Sequence, residues 1–440
     1  MRSYIQRLLS RGEMRVVERE VDPKFELAAV VERSQKESPL PILFKRVQGT
    51  ALPVVSNVFG SSARLAEVIG AAPGRICQRW NDVIHRATTM DAPYLRTVAE
   101  ERPRKSCRVS ELPSITWRAK DLGPYITAGV FYARDPESGV GNLSFCRTYM
   151  KSDAELVCDI APVHDLARYQ ANAERRGEPL EVCILIGPPP EIFVAACASV
   201  PMDVDEMKIA ATLLGQPVEV VPCSCVRLEA PAETQVLIEG SIRAGARSVE
   251  GPFGEFMGYY GPVNSNGYVI DVRAVTTRED AIFHGILCGT AEDMTALDLA
   301  FATRTYAALA PSLPGIVDVT CNPMFYCTVV QIDKQYEGHA QHVMLKTFAA
   351  HPNYNFVCIV VDKDVDPRNL KEVFHAYLTR GRVDRRIMVL PDVPGWDRSP
   401  QPTYAGRVGI DATMTWGREA EFDRAMTPGS DTLDLAKYFL

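Results

Sequence analysis

Between about residues 106 and 292 the chain offers many short apolar runs of strand length and only two helical patterns. That imbalance limits its architecture more than any other feature. Strand candidates fall at 148–150, 182–186, 192–197, 218–221, 235–242, 268–275 and 281–288. Thr277-Arg278-Glu279-Asp280 predicts a hairpin turn between the last two. One helix opens near Pro162; another opens near Asp203 or Asp205 and ends at Gly215, with Pro217 just beyond. Many short strands with few helices predict a barrel-like sheet, since closure removes unpaired strand edges.

The flanks read differently. Residues 2–11 and 24–36 have helical periodicity, 41–44 and 52–56 read as short strands, and a further helix starts near Ala63. This α/β unit is bounded at 1–105, where the Pro/Arg/Lys-rich stretch 101–105 reads as a linker into the strand-rich region 106–292. A helical stretch at 295–309 makes 293–317 a connecting segment. From 318 to 440 the pattern alternates: strands at 325–333, 356–361 and 386–390, helices at 338–349 and 368–380. Alternation of this kind predicts a smaller α/β domain.

Composition narrows the class. The 440 residues are 46% hydrophobic and 23% charged, ordinary for a globular protein with large cores. A formal net charge of −7 argues against nucleic acid as a partner, because phosphate-backbone binding needs a basic surface. Any phosphate-bearing ligand would then need a local cation. Twelve cysteines occur without a CxxC pair, many within apolar runs such as Val182-Cys183-Ile184-Leu185, which reads as buried free thiols in a reducing cytosol. The N-terminal residues lack a signal-peptide apolar block, and no apolar run approaches the ~20 residues a membrane span requires. A cytoplasmic location is expected.

The segment Glu250-Gly251-Pro252-Phe253-Gly254-Glu255 carries the chemistry. In a strand or helix, residues five apart point away from each other. The glycines and proline instead predict a turned loop that brings both carboxylates to one point. Two carboxylates so placed do not both ionise freely, which is how a protein obtains a carboxylic acid able to exchange protons near neutrality. The alternative is a surface turn with solvated acids. Arg147 lies on a strand with Asn142, and strand parity puts them on opposite faces unless Asn142 lies at the strand end. His164 falls in the first turn of a helix, where the dipole favours neutral, metal-ligating imidazole. Glu206 falls at the start of another helix, either as an ordinary dipole partner or as a ligand. Asn142, His164 and Glu206 together make an oxygen/nitrogen set suited to Mn²⁺ or Mg²⁺ rather than to thiolate zinc. Residues 334–340, Lys-Gln-Tyr-Glu-Gly-His-Ala, read either as a helix cap or as a phosphate contact.

Taken in order, these residues resemble the UbiD family of decarboxylases, which use prenylated FMN. The resemblance starts at Pro53-Val54-Val55-Ser56-Asn57-Val58-Phe59-Gly60 and runs through residues 142–147, His164, Glu206 and the 250–255 loop. It continues over 278–284 and 334–340 and ends at Gly406-Arg407-Val408-Gly409-Ile410-Asp411-Ala412-Thr413. It implies an N-terminal α/β domain, a split β-barrel flavin-binding domain and a C-terminal α/β domain that aids dimerisation. It implies that Asn142, His164 and Glu206 hold a divalent metal, usually manganese, with a potassium ion beside it, and that the metal holds the cofactor phosphate. Arg147, Glu250 and Glu255 correspond to a glutamate–arginine–glutamate catalytic set, with Glu255 as proton donor. Arg147 and Arg407 are expected to meet the cofactor; Arg407 stands where many relatives have lysine. Asp293-Met294 stands where many have Asp-Glu.

The expected activity is reversible, non-oxidative decarboxylation of an aromatic, heteroaromatic or α,β-unsaturated acid. A flavin prenyltransferase would supply the cofactor, and the assembly would be a homodimer or homohexamer. The rival readings are a flavin redox enzyme on the same barrel and a non-catalytic subunit of a decarboxylase complex.

Overall fold

The structure, a computed structural model, describes residues 1–99, 104–321, 323–351, 354–381, 383–395, 406–425, 427–429 and 432–438. The chain divides into two compact units, one comprising Met1–Ala307 and the other beginning at Ala308.

The first unit opens with α1 (Arg2–Ser10), β1 (Arg15–Val21), α2 (Glu26–Glu37), β2 (Ile42–Val47), β3 (Val54–Ser56), α3 (Ser62–Ile69) and α4 (Ile76–Thr88). Local chemistry sets these limits. The Ser61 side chain caps α3 by accepting from the Arg64 amide, and Gly70 closes it in the left-handed conformation. The chain continues through β4 (Leu95–Thr97), β5 (Lys105–Cys107), β6 (Tyr125–Ile126), β7 (Gly129–Arg134), β8 (Gly141–Phe145), β9 (Thr148–Met150) and β10 (Glu155–Cys158). Then come α5 (Asp165–Arg175), β11 (Leu180–Ile186), α6 (Pro190–Ala195), α7 (Met207–Leu214), β12 (Val218–Pro222) and β13 (Glu229–Pro231). The unit's last elements are β14 (Val236–Glu250), β15 (Asn264–Thr277), β16 (Phe283–His284) and the start of α8 (Ala291–Leu309).

The central sheet has nine strands on the path β6-β9-β10-β15-β14-β11-β7-β8, with β5 added to β15. Strands β8 and β9 lie near opposite ends of that path, yet only Cys146 and Arg147 separate them in sequence. Three Cα–Cα steps reach at most ~11 Å. The sheet therefore curls into a half-barrel until its ends nearly meet, and Arg147 sits at that seam. The curl buries both faces. Along β11, Cys183 and Leu185 join the core formed with α6 and α7, while Val182, Ile184 and Ile186 join the core on the other side. A continuous apolar run is what a strand buried on both faces requires. Among the described residues no helix is long and apolar enough to cross a membrane.

Several local expectations change. Residues 192–197 form helix α6 and its end instead of a strand. Pro189 and Pro190 preset its first turn, and Ile192, Phe193, Val194 and Ala195 are all buried, so no polar face marks the helical period. Residues 277–280 do not turn a hairpin: β16 pairs in parallel with β3, in the four-stranded sheet β1-β2-β3-β16. Strand β15 already has β14 and β10 at its sides, with β5 beside its C-terminal end, which leaves no edge for a returning strand. Residues 218–221 belong to a separate three-stranded sheet, β13-β12-β4. Of the proposed linker, 101–103 lie outside the described residues, and Lys105 begins β5.

The second unit contains β17 (Ile316–Cys321), β18 (Cys327–Ile332), α9 (His339–Ala350), β19 (Val357–Asp362), α10 (Leu370–Thr379), β20 (Ile387–Leu390) and β21 (Arg407–Asp411). Its sheet order is β17-β18-β19-β21-β20, parallel at the centre and antiparallel at both edges. Val329, Ile359, Val361, Val373 and Ala376 pack its core under α10.

Candidate active site

The long hairpin of β14 and β15 extends well past its apolar part. Its outer half is polar and partly exposed, which hid it from hydrophobic patterning. Glu250 is the last residue of β14, paired with Asn264, and Glu255 lies in the connection. Gly251 has φ of +79°, a conformation that side-chain-bearing residues rarely adopt, so the chain turns sharply straight after Glu250. The Gly251 amide donates to the Tyr125 hydroxyl at 3.1 Å, and the Gly254 amide donates to Asp121 Oδ1 at 2.9 Å. The Glu255 amide donates to the Tyr259 carbonyl at 2.9 Å. These bonds fold the loop back over the barrel seam.

Arg147 is the point of convergence. Its Nε and Nη2 donate to the two oxygens of Glu250, each at 2.9 Å, and its Nη1 donates to Glu255 Oε1 at 2.8 Å. Nη2 also lies 3.1 Å from Asp159 Oδ2, and the guanidinium carbon sits 5.0 Å from the centre of the Phe253 ring. Glu250 is completely buried and Glu255 nearly so. Burial works against the Arg147 charge, but the Glu250 hydrogen bonds and the charges of Glu255, Glu250 and Asp159 outweigh it, so the pKa is raised. The strand-parity concern about Arg147 disappears because it lies between β8 and β9, in neither strand. Asp159 was not singled out in the sequence. It follows the end of β10 and accepts from Asn264 Nδ2 at 3.1 Å, so only strand pairing reveals it.

The expected metal ligands partly assemble. Asn142 on β8 and Glu206 at the start of α7 are buried together, with Asn142 Nδ2 donating to Glu206 Oε1 at 3.1 Å. Glu206 Oε2 accepts from the Leu143 amide at 2.9 Å. His164 is exposed and occupies the N-cap position of α5, just outside the first helical turn and one residue earlier than expected. Helices α5 and α7 both pack on β8, so the two helix starts approach the same strand. Burial pushes the Glu206 carboxyl up to about 8, the Leu143 amide opposes this, and the charges of Asp205 and Asp165 add to the rise. A buried carboxylate short of compensating positive charge, beside an amide, is the environment a hard divalent cation stabilises. Asn142 and Glu206 are chemically suited to such an ion.

Arg407 lies in the second unit. It is buried, donates to the carbonyls of Gly406 at 2.7 Å and Pro394 at 2.8 Å, and sits 5.0 Å over the Phe356 ring. Desolvation lowers its pKa. Also in that unit, Lys334 Nζ donates to Thr413 Oγ1 at 3.1 Å and to the Met414 carbonyl at 2.8 Å. Gly338 caps α9 in the left-handed conformation.

Comparison with known proteins bears on the whole chain. Three domain descriptions of the 3-octaprenyl-4-hydroxybenzoate carboxy-lyase family, UbiD, match it: the N-terminal domain at residues 5–84, the Rift-related domain at 89–291 and the C-terminal domain at 297–412. The anhydromevalonate phosphate decarboxylase of Methanothermobacter thermautotrophicus is 32% identical over 434 residues, covering 96% of this chain and 99% of that one. The UbiD-class enzyme HmfF from Pelotomaculum thermopropionicum, solved with FMN, superposes with a TM-score of 0.92 at 31% identity, covering 100% of this chain and 99% of that one. An evolved dimeric form of HmfF, solved with prenylated FMN, gives 0.89 at 32% identity, with 100% and 99% covered. With its mixed α/β architecture, its half-barrel sheet and family matches that run from residue 5 to residue 412, this chain belongs to the UbiD family of decarboxylases.

Proposed function

We propose that this chain is a prenylated-FMN-dependent enzyme that reversibly decarboxylates an aromatic, heteroaromatic or α,β-unsaturated acid without net oxidation. The observation that carries the reading is the single guanidinium held by Glu250 and Glu255 at 2.8–2.9 Å. Loss of CO₂ from an sp² carbon leaves an unstabilised carbanion, and the bound prenylated flavin would supply the electron sink that side chains lack. The protein's share is orientation and proton delivery. Glu250 engages Arg147 with both oxygens and fixes the guanidinium plane, as a bidentate pair does. Arg147 then orients the substrate carboxylate. Glu255 accepts from Arg147 Nη1, lies on a glycine-flanked loop, and is the group that protonates the vacated carbon. Asp159, 3.1 Å from the same guanidinium, brings a third carboxyl group to the cluster.

Asn142, His164 and Glu206 would hold Mn²⁺ or Mg²⁺, with K⁺ beside it. Such an ion would let a chain of net charge −7 retain the cofactor phosphate. A flavin prenyltransferase would supply the cofactor in the cytoplasm. The C-terminal domain, residues 318–440, is proposed to mediate a homodimer or homohexamer; it leaves Phe374, Leu378 and Val389 more than half exposed.

The test is Glu255→Gln, co-expressed with a flavin prenyltransferase. Turnover is expected to vanish while the variant still purifies with bound flavin. Full activity would refute the role of Glu255. CO₂ release from unsaturated acids in D₂O should leave deuterium at the vacated carbon of the product.

A further inference from the structure

Cys183 and Cys223 stand apart from the active-site cluster, and their sulfurs lie 3.2 Å from each other. That is roughly 1.1 Å beyond the ~2.05 Å of a disulfide bond. Cys183 is buried on β11, Cys223 is half-buried just after β12, and Cys225, two residues on, is exposed. The 223–228 turn is pinned to the sheet on several sides. Glu239, the cross-strand partner of Cys183 on β14, accepts from Ser224 Oγ at 2.9 Å and from the Cys225 amide at 2.6 Å. Arg273 donates to the Cys225 carbonyl at 3.1 Å, and Glu181 on β11 accepts from the Arg227 amide at 3.0 Å. The Cys223 amide donates to the Leu228 carbonyl at 2.9 Å. When one of two thiols fixed side by side in this way forms a mixed disulfide, the other attacks it at high effective concentration, because little conformational freedom remains to be lost. A metal does not explain the pairing: among the described residues no group of three or more His, Cys, Asp or Glu side chains can hold an ion.

We propose that Cys183 and Cys223 form a reversible intrachain disulfide when the protein meets a small-molecule disulfide such as oxidised glutathione. The half-buried Cys223 thiolate attacks one glutathione sulfur. The glutathione S–S bond breaks, and one glutathione leaves as thiolate and takes up a proton. Cys183 then loses its proton and attacks the Cys223 sulfur, and the second glutathione leaves as thiol. Two protein thiols are oxidised, one glutathione disulfide is reduced to two thiols, and no other oxidant is needed. The bond staples β11 to the turn after β12. The two cysteines are 40 residues apart, and the chain between them holds α6, α7 and Glu206. The cross-link removes conformations from the unfolded chain and resists thermal unfolding of this segment.

The experiment titrates the native protein with mixtures of reduced and oxidised glutathione, quenches by alkylation and maps the peptides. A peptide linking Cys183 to Cys223 is expected, with loss of two of the twelve thiols, a rise in Tm and full reversal by dithiothreitol. Cys225→Ser should form the same link. Cys183→Ala should accumulate glutathione on Cys223 instead. The proposal is overturned if excess oxidised glutathione leaves the pair reduced in the native wild type. It is equally overturned if glutathione accumulates on Cys223 or Cys225 of the wild type without the link, or if the link appears only in denaturant.

Discussion

Arg147→Lys keeps the charge at the barrel seam and removes the fork. The guanidinium makes three hydrogen bonds of 2.8–2.9 Å to two buried glutamates and lies 3.1 Å from Asp159. A lysine ammonium is a compact point charge and cannot reach both oxygens of Glu250 and also Glu255 from one position. At least one of the three bonds is lost, and two where the ammonium sits against a single acceptor. Hydrogen bonds to charged groups contribute about 1.5–3 kcal/mol each, so losing two is a gross loss of about 3–6 kcal/mol. Proton uptake by a stranded carboxyl and partial relaxation reduce it, and breaking a buried ion pair typically costs ~3–5 kcal/mol. The net expectation is about 3 kcal/mol, a large share of the ~5–15 kcal/mol that holds a typical protein folded. The assay is urea unfolding of cofactor-free protein, comparing midpoints at equal m. Arg33→Lys is the control, since Arg33 pairs with Glu37 across an exposed helix face and should change stability by less than ~0.5 kcal/mol. Turnover should fall as well, because the substrate carboxylate loses its planar partner. If Arg147→Lys proves no more destabilising than the control, the cluster behaves as a surface ion pair and the argument built on its burial fails.

Other tests follow from single contacts. The raised pKa of Glu206, about 8, means that the metal-free folded protein binds a proton that the unfolded chain has released. The contribution of Glu206 to stability should therefore be full below about pH 4.5 and decline by up to ~1.4 kcal/mol per unit as pH rises toward 8; Mn²⁺ or Glu206→Gln should flatten that part of the slope, and an unchanged slope in the variant would refute the assignment. Gly267→Ala would place a methyl 2.7 Å from both Glu250 Cβ and Val157 Cγ1, so a loss of about 1–3 kcal/mol is expected in denaturant midpoints, and a neutral result would show that β14 and β15 separate easily there. Tyr125→Phe removes the acceptor of the Gly251 amide and should cost about 1–3 kcal/mol with reduced turnover and retained flavin; unchanged kinetics would mean that the loop holds Glu255 without it.

The extent to which the sequence was legible varied with the distance over which each feature is decided. Local signals placed α3 and the C-terminal end of α7, where capping serine and glycine act within one turn, while α7 starts at Met207, two residues or more after the acids that were expected to open it. Local signals also misread residues 192–197, because a helix buried all round shows no period. The turned loop after Glu250 was visible in its glycines and proline. The length of the hairpin that carries it was not, since its outer half is polar. Asn142 and Glu206 were named from the ordered motif, but the proton affinity of Glu206 comes from burial that no spacing encodes.

The amino-acid order alone determined which residue types were available and where the backbone had to turn: a glycine where φ is positive, alternating or continuous apolar runs where strands are buried, an acid on each side of Gly251-Pro252. Only the tertiary structure decided that the sheet curls until β8 and β9 are neighbours, that Arg147 meets Glu250, Glu255 and Asp159 at one point, and that Cys183 faces Cys223. The physical reason is that the side-chain encounters join residues 12 to 108 positions apart, and that β8 and β9, though adjacent in sequence, meet only because the strands between them in the sheet come from distant parts of the chain. Strand pairing and core packing set such separations collectively, so no local stretch of chain contains the information.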